Sequence, residues 1–260
     1  LPRILLFDSG IGGISILNEV KAVLPQAEYH YFADHAAAPY GEKNDDWLNS
    51  QVTYQLINLD NNISPDLIIV ACNTASTLSL KTLRNNIKTP IIGVVPAIKT
   101  ALQQSNSNCI GLLATPATIA RPYIDNLILQ YTQNNSVIRI GSTQLVLFAE
   151  EKLNGGFIKE EIIKDIIQPF ILAECKHVVL GCTHFPLLRE ELEMLAPEIS
   201  WIDSGKAIAT RVQKLLNTSL IDKSADNYFY SSGFIGNHLK QHLTKVGFSH
   251  IIESHNHTCT

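Results

Sequence analysis

Two cysteines stand in matching surroundings. "LIIVACNTAS" (67–76) and "HVVLGCTHFP" (177–186) each read as an apolar strand, a small residue, a cysteine and a polar turn carrying threonine, followed by helical spacing. Cys72 and Cys182 therefore fall where a buried strand gives way to a helix start, beside hydrogen-bonding side chains and a helix dipole that favours thiolate. A Cys-His hydrolase needs one nucleophile and one base, so a second equivalent thiol is redundant there. A dithiol redox site usually places both sulfurs on one CxxC turn, and the chain has none. Inverting a carbon that carries an acidic hydrogen needs a base on each face, one removing a proton and the other delivering one. Two thiols from similar halves meet that requirement.

The flanking residues suit the same chemistry. Asn73, Thr74 and Thr183 can donate to a carboxylate and accept from an ammonium group, together with backbone N–H groups at the helix starts. Asp8 near Cys72, and His184 two residues beyond Cys182, are candidates to assist proton traffic. "DSGIGGIS" (8–15) follows a strand and invites a dinucleotide reading, with Asp34 where a ribose-binding acid belongs. That fingerprint needs glycine at Ser15, however, and Asp8 would put a negative charge at the pyrophosphate. Asp8 and Ser9 read better as the lining of a small polar site, with the glycines letting backbone come close. In "ADHAAAPYGEK" (33–43), Pro39, Tyr40 and Gly41 form a turn whose N–H groups can hold an anion. Cys109 and Cys175 read as small packing residues.

These loops need strands to hold them. Apolar runs at 4–7, 29–33, 67–71, 91–95, 110–114, 137–140, 178–180 and 201–203 predict strands. Between most of them lie helical stretches, such as Ile158, Ile162, Ile163, Ile166 and Phe170. Such alternation predicts an α/β chain with parallel sheets flanked by helices. The cysteine echo, and a weaker one between "ILLFDSG" and "IGLLATP", predict two pseudo-symmetric domains with the active site in the cleft between them. Junctions near 94–99 and 203–209 place the first domain at 1–95 plus 207–260 and the second at 96–206.

Together these segments resemble the cofactor-independent glutamate racemases of the aspartate/glutamate racemase superfamily. The resemblance runs through "FDSGIGG", Asp34 with "PYG", "ACNTAS", "GVVPAIK", "LLATPATI", "GCTHFP" and "IDSG", nearly the whole chain. It implies that Cys72 and Cys182 are the two acid/base thiols, Cys72 acting on D-glutamate and Cys182 on L-glutamate. Substrate contacts are implied for Asp8, Ser9, Tyr40, Gly41, Asn73, Thr74, Thr118, Thr183 and His184, with a secondary role for Glu150. Aspartate racemases are similar but usually carry His after "CNTA" and Glu flanking the second "CT"; Ser76 and the run Gly181 to His184 favour glutamate. The family's product, D-glutamate, enters bacterial peptidoglycan, and its members are usually cytoplasmic and often homodimeric.

Composition sets the remaining expectations. The 260 residues are 45% hydrophobic and 17% charged with net charge −4, enough to bury a core and without a basic run for nucleic acid or an anionic membrane. No apolar stretch approaches the roughly 20 residues of a membrane span, so a cytoplasmic protein is expected. The five cysteines have no disulfide-framework or zinc spacing, and the tail "SHNHTCT" reads as a ragged end. No lysine sits in a glycine-rich phosphate-binding setting, so neither metal nor Schiff-base cofactor is expected. The rival reading is a non-catalytic small-ligand or nucleotide-binding module using "DSGIGG" and Asp34.

Overall fold

Apolar runs this continuous form strands covered on both faces, and a computed structural model describing residues 1–104, 109–131, 136–216 and 225–253 shows where they lie. In chain order the strands are β1 (Arg3–Asp8), β2 (Glu28–Ala33), β3 (Leu67–Val70), β4 (Ile91–Gly93), β5 (Cys109–Ala114), β6 (Ser136–Gly141), β7 (His177–Leu180), β8 (Ser200–Ile202), β9 (Tyr228–Ser231) and β10 (His250–Glu253). The helices are α1 (Ile14–Val23), α2 (Asp45–Ile63), α3 (Asn73–Asn86), α4 (Ile98–Gln104), α5 (Pro116–Ile119), α6 (Pro122–Tyr131), α7 (Gln144–Leu153), α8 (Glu160–Leu172), α9 (Arg189–Leu195), α10 (Gly205–Leu216) and α11 (Asn237–Val246).

Two parallel sheets result, ordered β10-β9-β2-β1-β3-β4 and β6-β5-β7-β8. The expected α/β class with helix-flanked parallel sheets is what forms. Alternation along each strand divides the core into layers. Ile4, Leu6, Tyr29, Tyr31, Leu67 and Ile69 face α1, α10 and α11, while Leu5, Phe7, Ile68 and Val70 face α2 and α3. In the second lobe Val178 and Leu180 meet α7, α8 and α9, and Ile110, Leu112 and Val179 meet α4 and α6. All eight predicted strands are present. Cys175 is buried within the second core and Cys109 is packed against it, whereas "SHNHTCT" lies outside the described residues.

The sheets share one wiring. Order β2-β1-β3-β4 in the first corresponds to β6-β5-β7-β8 in the second, so β3 and β7 occupy equivalent positions and each is followed, two residues beyond its end, by a cysteine. Two linkers join the lobes, one between β4 and α4 and the other between β8 and α10. They are fastened together where Ser204 Oγ donates to the Val95 carbonyl at 2.6 Å. The first sheet is wider because β9 pairs with β2, and β10 with β9.

Candidate active site

The carboxyl ends of β1, β3, β5 and β7 converge between the lobes, where loops and helix starts of a parallel sheet gather. Cys72 is the N-cap residue of α3 and is 5% exposed; Cys182, two residues past β7, is 7% exposed. Both line a single cavity of about 20 Å³, with Ser9, Pro39, Tyr40, Gly41, Asn73 and Thr74 from the first lobe and Thr115, Thr143, Val146, Thr183 and His184 from the second. Larger grooves of about 480 and 520 Å³ lie elsewhere and contain neither thiol.

The thiols have different surroundings. Cys72 Sγ stands 3.7 Å from Ser9 Oγ and accepts from the Ala75 N–H. Burial, reinforced by the Asp8 charge, nevertheless pushes its pKa up to about 12. At Cys72 desolvation thus outweighs the helix start, contrary to the expected preference for thiolate. Cys182 Sγ lies 3.8 Å from Nδ1 of His184, whose Nε2 is 2.7 Å from Glu150 Oε1. Burial alone would lower the His184 pKa; the hydrogen bonds to Cys182 and Glu150 overcome it and hold the imidazole well above its usual value. Burial raises Glu150, but the contacts with His184 win and leave its pKa lowered. A charged imidazolium–carboxylate pair therefore stands beside the second thiol.

The other predicted residues divide into cavity wall and support. Ser9, Tyr40, Gly41, Asn73, Thr74, Thr183 and His184 face the cavity. The buried Nδ2 of Asn73 has no partner among the described residues, an available donor in the wall. Thr118 stands behind, its hydroxyl 3.2 Å from Thr74 Oγ1 and 2.9 Å from Thr115 Oγ1. Asp8 is also a supporting residue: Oδ2 accepts from the Gly13 N–H at 2.9 Å and Oδ1 from Thr183 Oγ1 at 3.4 Å. Burial raises its pKa despite the opposing influence of His184. Asp34 accepts from Tyr40 Oη (2.7 Å), Gln51 Nε2 (3.2 Å) and Ser232 Oγ (2.8 Å), which orients Tyr40 and occupies the carboxylate that a ribose would need.

"DSGIGG" acts by proximity between lobes. A Cβ on Gly12 would lie 2.5 Å from His184 Nδ1 and 2.7 Å from its backbone nitrogen, and one on Gly10 would lie 2.3 Å from Glu150 Oε1. Neither glycine has positive φ. Their backbone instead presses against the loop carrying Cys182 and His184, and the Ile11 N–H donates to Glu150 Oε1 at 3.1 Å. Sequence reasoning missed Thr115, Thr143 and Val146 in the wall. Thr115 had a signal, since "LLATP" parallels "LLFDS" at the equivalent strand end; Thr143 and Val146 follow the edge strand β6 with no distinguishing pattern.

Comparison with known proteins gives one consistent result. Residues 14–212 match the Asp/Glu/Hydantoin racemase family. The chain is 43% identical to the glutamate racemase of Shewanella piezotolerans across 98% of this chain and 97% of that one. It is 47% identical to the glutamate racemase of Vibrio cholerae over 83% of this chain and 81% of that one. Its structure superposes on Escherichia coli glutamate racemase, crystallised with L-glutamate and the activator UDP-MurNAc-Ala, with a TM-score of 0.90 and 38% identity, covering 97% of this chain and 98% of that one.

Proposed function

The chain belongs to the Asp/Glu/Hydantoin racemase family, and from that premise we infer that it interconverts L- and D-glutamate through two thiols acting on opposite faces of Cα. The observation that carries this reading is the placement of Cys72 and Cys182 at equivalent points of two like-wired sheets, lining one cavity.

The Cα hydrogen of an amino acid is a very weak acid, so charge developing on the carboxylate must be met by fixed donors in a dry site. Asn73 Nδ2, the hydroxyls of Thr74, Thr115 and Thr183, and N–H groups at the start of α3 are suited to that task. Cys72, with its pKa near 12, rests as a thiol at neutral pH and is ready to deliver a proton. Cys182 Sγ lies 3.8 Å from His184 Nδ1, within reach of a partner for the proton it takes up. In the L-to-D direction Cys182 removes the Cα proton and Cys72 donates its own to the opposite face. The enzyme then carries its thiolate on the first lobe, as the D-to-L direction requires. Cys72 thereby serves D-glutamate and Cys182 L-glutamate. No step calls for a metal or organic cofactor.

No helix among the described residues is long and apolar enough to cross a membrane. A cytoplasmic homodimer supplying D-glutamate to peptidoglycan completes the reading.

Chiral analysis after incubation with L-glutamate and, separately, L-aspartate tests it. Glutamate racemises, with kcat/KM for aspartate, one methylene shorter, about 10- to 200-fold lower. Cys72→Ala and Cys182→Ala each abolish turnover, while Cys175→Ala keeps it and loses about 1 kcal/mol of packing. Optically stable glutamate with folded protein, or full activity in either active-site variant, would overturn the reading.

A further inference from the structure

Two groups of contacts hold the lobes together over the cavity. On the His184 side, Ser15 Oγ donates to the Thr183 carbonyl at 2.9 Å, beside the bonds from Ile11 and Thr183 already described. On the opposite rim stands Arg121, between α5 and α6 of the second lobe, and its side chain crosses to the first. Nη1 donates to the Thr74 carbonyl in the first turn of α3 and, at 3.0 Å, to Thr77 Oγ1 at the start of the second. Nη2 donates to Asp45 Oδ1 at 2.6 Å, at the start of α2. Every other ion pair between described residues stays within one lobe.

We infer that Arg121 is a positioning residue for the reaction: it fixes the first turn of α3, and with it the Thr74 hydroxyl in the cavity wall, and through Asp45 it latches the lobes closed over the substrate. The inference rests on the racemase reading for its purpose but not for its geometry. A planar guanidinium can serve three acceptors in fixed directions, which a lysine ammonium at that depth cannot reproduce. The Thr74 carbonyl has a second lone pair for Nη1 beyond the one used by the helix. Thr74 meets Thr115 and Thr118 of the opposite lobe at 3.1 and 3.2 Å, so a shift of this turn moves a wall that both lobes share.

The latch is also built to open. A cavity of about 20 Å³ holds about one water, so glutamate enters only when the lobes part. The Arg121 side chain is 7% exposed but that of Asp45 is 55% exposed, so water reaches the pair from the Asp45 side as it separates. Such a half-solvated pair biases an equilibrium several-fold rather than locking it.

The test uses the full chain carrying Asp45→Asn, which removes the charge at a residue outside the cavity wall. Alkylation of Cys72 and Cys182 by iodoacetamide without glutamate, followed by peptide mass spectrometry, reads lobe opening independently of turnover. Both thiols are expected to react about threefold faster in Asp45→Asn. Wild type in high salt shifts the same way, Asp45→Glu returns to the wild-type rate, and buried Cys175 stays unchanged. KM for glutamate rises by a similar factor while kcat changes less, because the lost contact is shared by ground and transition states. Unchanged alkylation of Cys72 and Cys182, or Cys175 reacting faster in step with them, would overturn the latch. The predicted alkylation pattern in a protein that leaves glutamate optically stable would instead sink the racemase reading and leave the latch standing.

Discussion

His184, 3% exposed, would ordinarily be neutral at that depth, yet Glu150 and Cys182 hold its proton. The pH dependence of stability follows from the raised pKa. The folded state binds this proton more tightly than the unfolded chain, so the contribution is fully present below the unfolded value of about 6.5 and is lost as pH climbs through the folded value above it. Thermal melts should show stability falling through that alkaline window in wild type and a flatter profile in His184→Gln. Parallel profiles would mean that His184 carries no excess proton. At this scale the sequence showed which residue types meet, but not their ionisation. The type and position of Cys72 suggest an activated thiolate, whereas its depth and the neighbouring Asp8 make it a weak acid; burial of a single sulfur is not written in local sequence.

Strands and their loops were the most legible level. Runs such as "LIIV" and "IGLL" identify buried parallel strands because both sheet faces demand apolar side chains. β9 and β10 were not anticipated. "YFYS" alternates half-buried tyrosines with the buried Phe229 and Ser231, and "HIIE" lies on the sheet edge, so neither presents a continuous apolar run. Arg121 was illegible for a related reason, since its partners Asp45, Thr74 and Thr77 belong to other elements and only folding brings them together. The glycine loop carries the prediction at this level. Gly12→Ala places a methyl against the His184 backbone, which cannot retreat as a flexible side chain would. The lobes must then separate, and a displacement near 1 Å at the reacting groups lowers kcat/KM by about 100-fold. Gly41→Ala, whose Cβ would meet Thr115 Cβ at 3.3 Å, should be far milder. Steady-state kinetics on both, with circular dichroism to verify folding, decides it; equal losses would contradict the assignment of Gly12 to close contact between lobes.

For the molecule as a whole, the proposed function rests on a strand order repeated in both sheets and on the clamp inferred between them. Each lobe contributes one sulfur from the same place in its sheet, the linkers bound by Ser204 and Val95 join the lobes, and the closed form leaves about 20 Å³ between them. In the proposed reaction, a substrate enclosed there meets one thiol from each lobe. If those thiols exchange their protons with solvent only between turnovers, they act as two separate acids. The most direct measurement is therefore the fate of the Cα hydrogen during racemisation of L-glutamate in deuterated water, sampled early in the reaction and resolved by enantiomer. The predicted result is D-glutamate carrying deuterium at Cα while the remaining L-glutamate keeps its hydrogen; deuterium entering the recovered L-glutamate as fast as the product would show one base serving both faces and contradict the account.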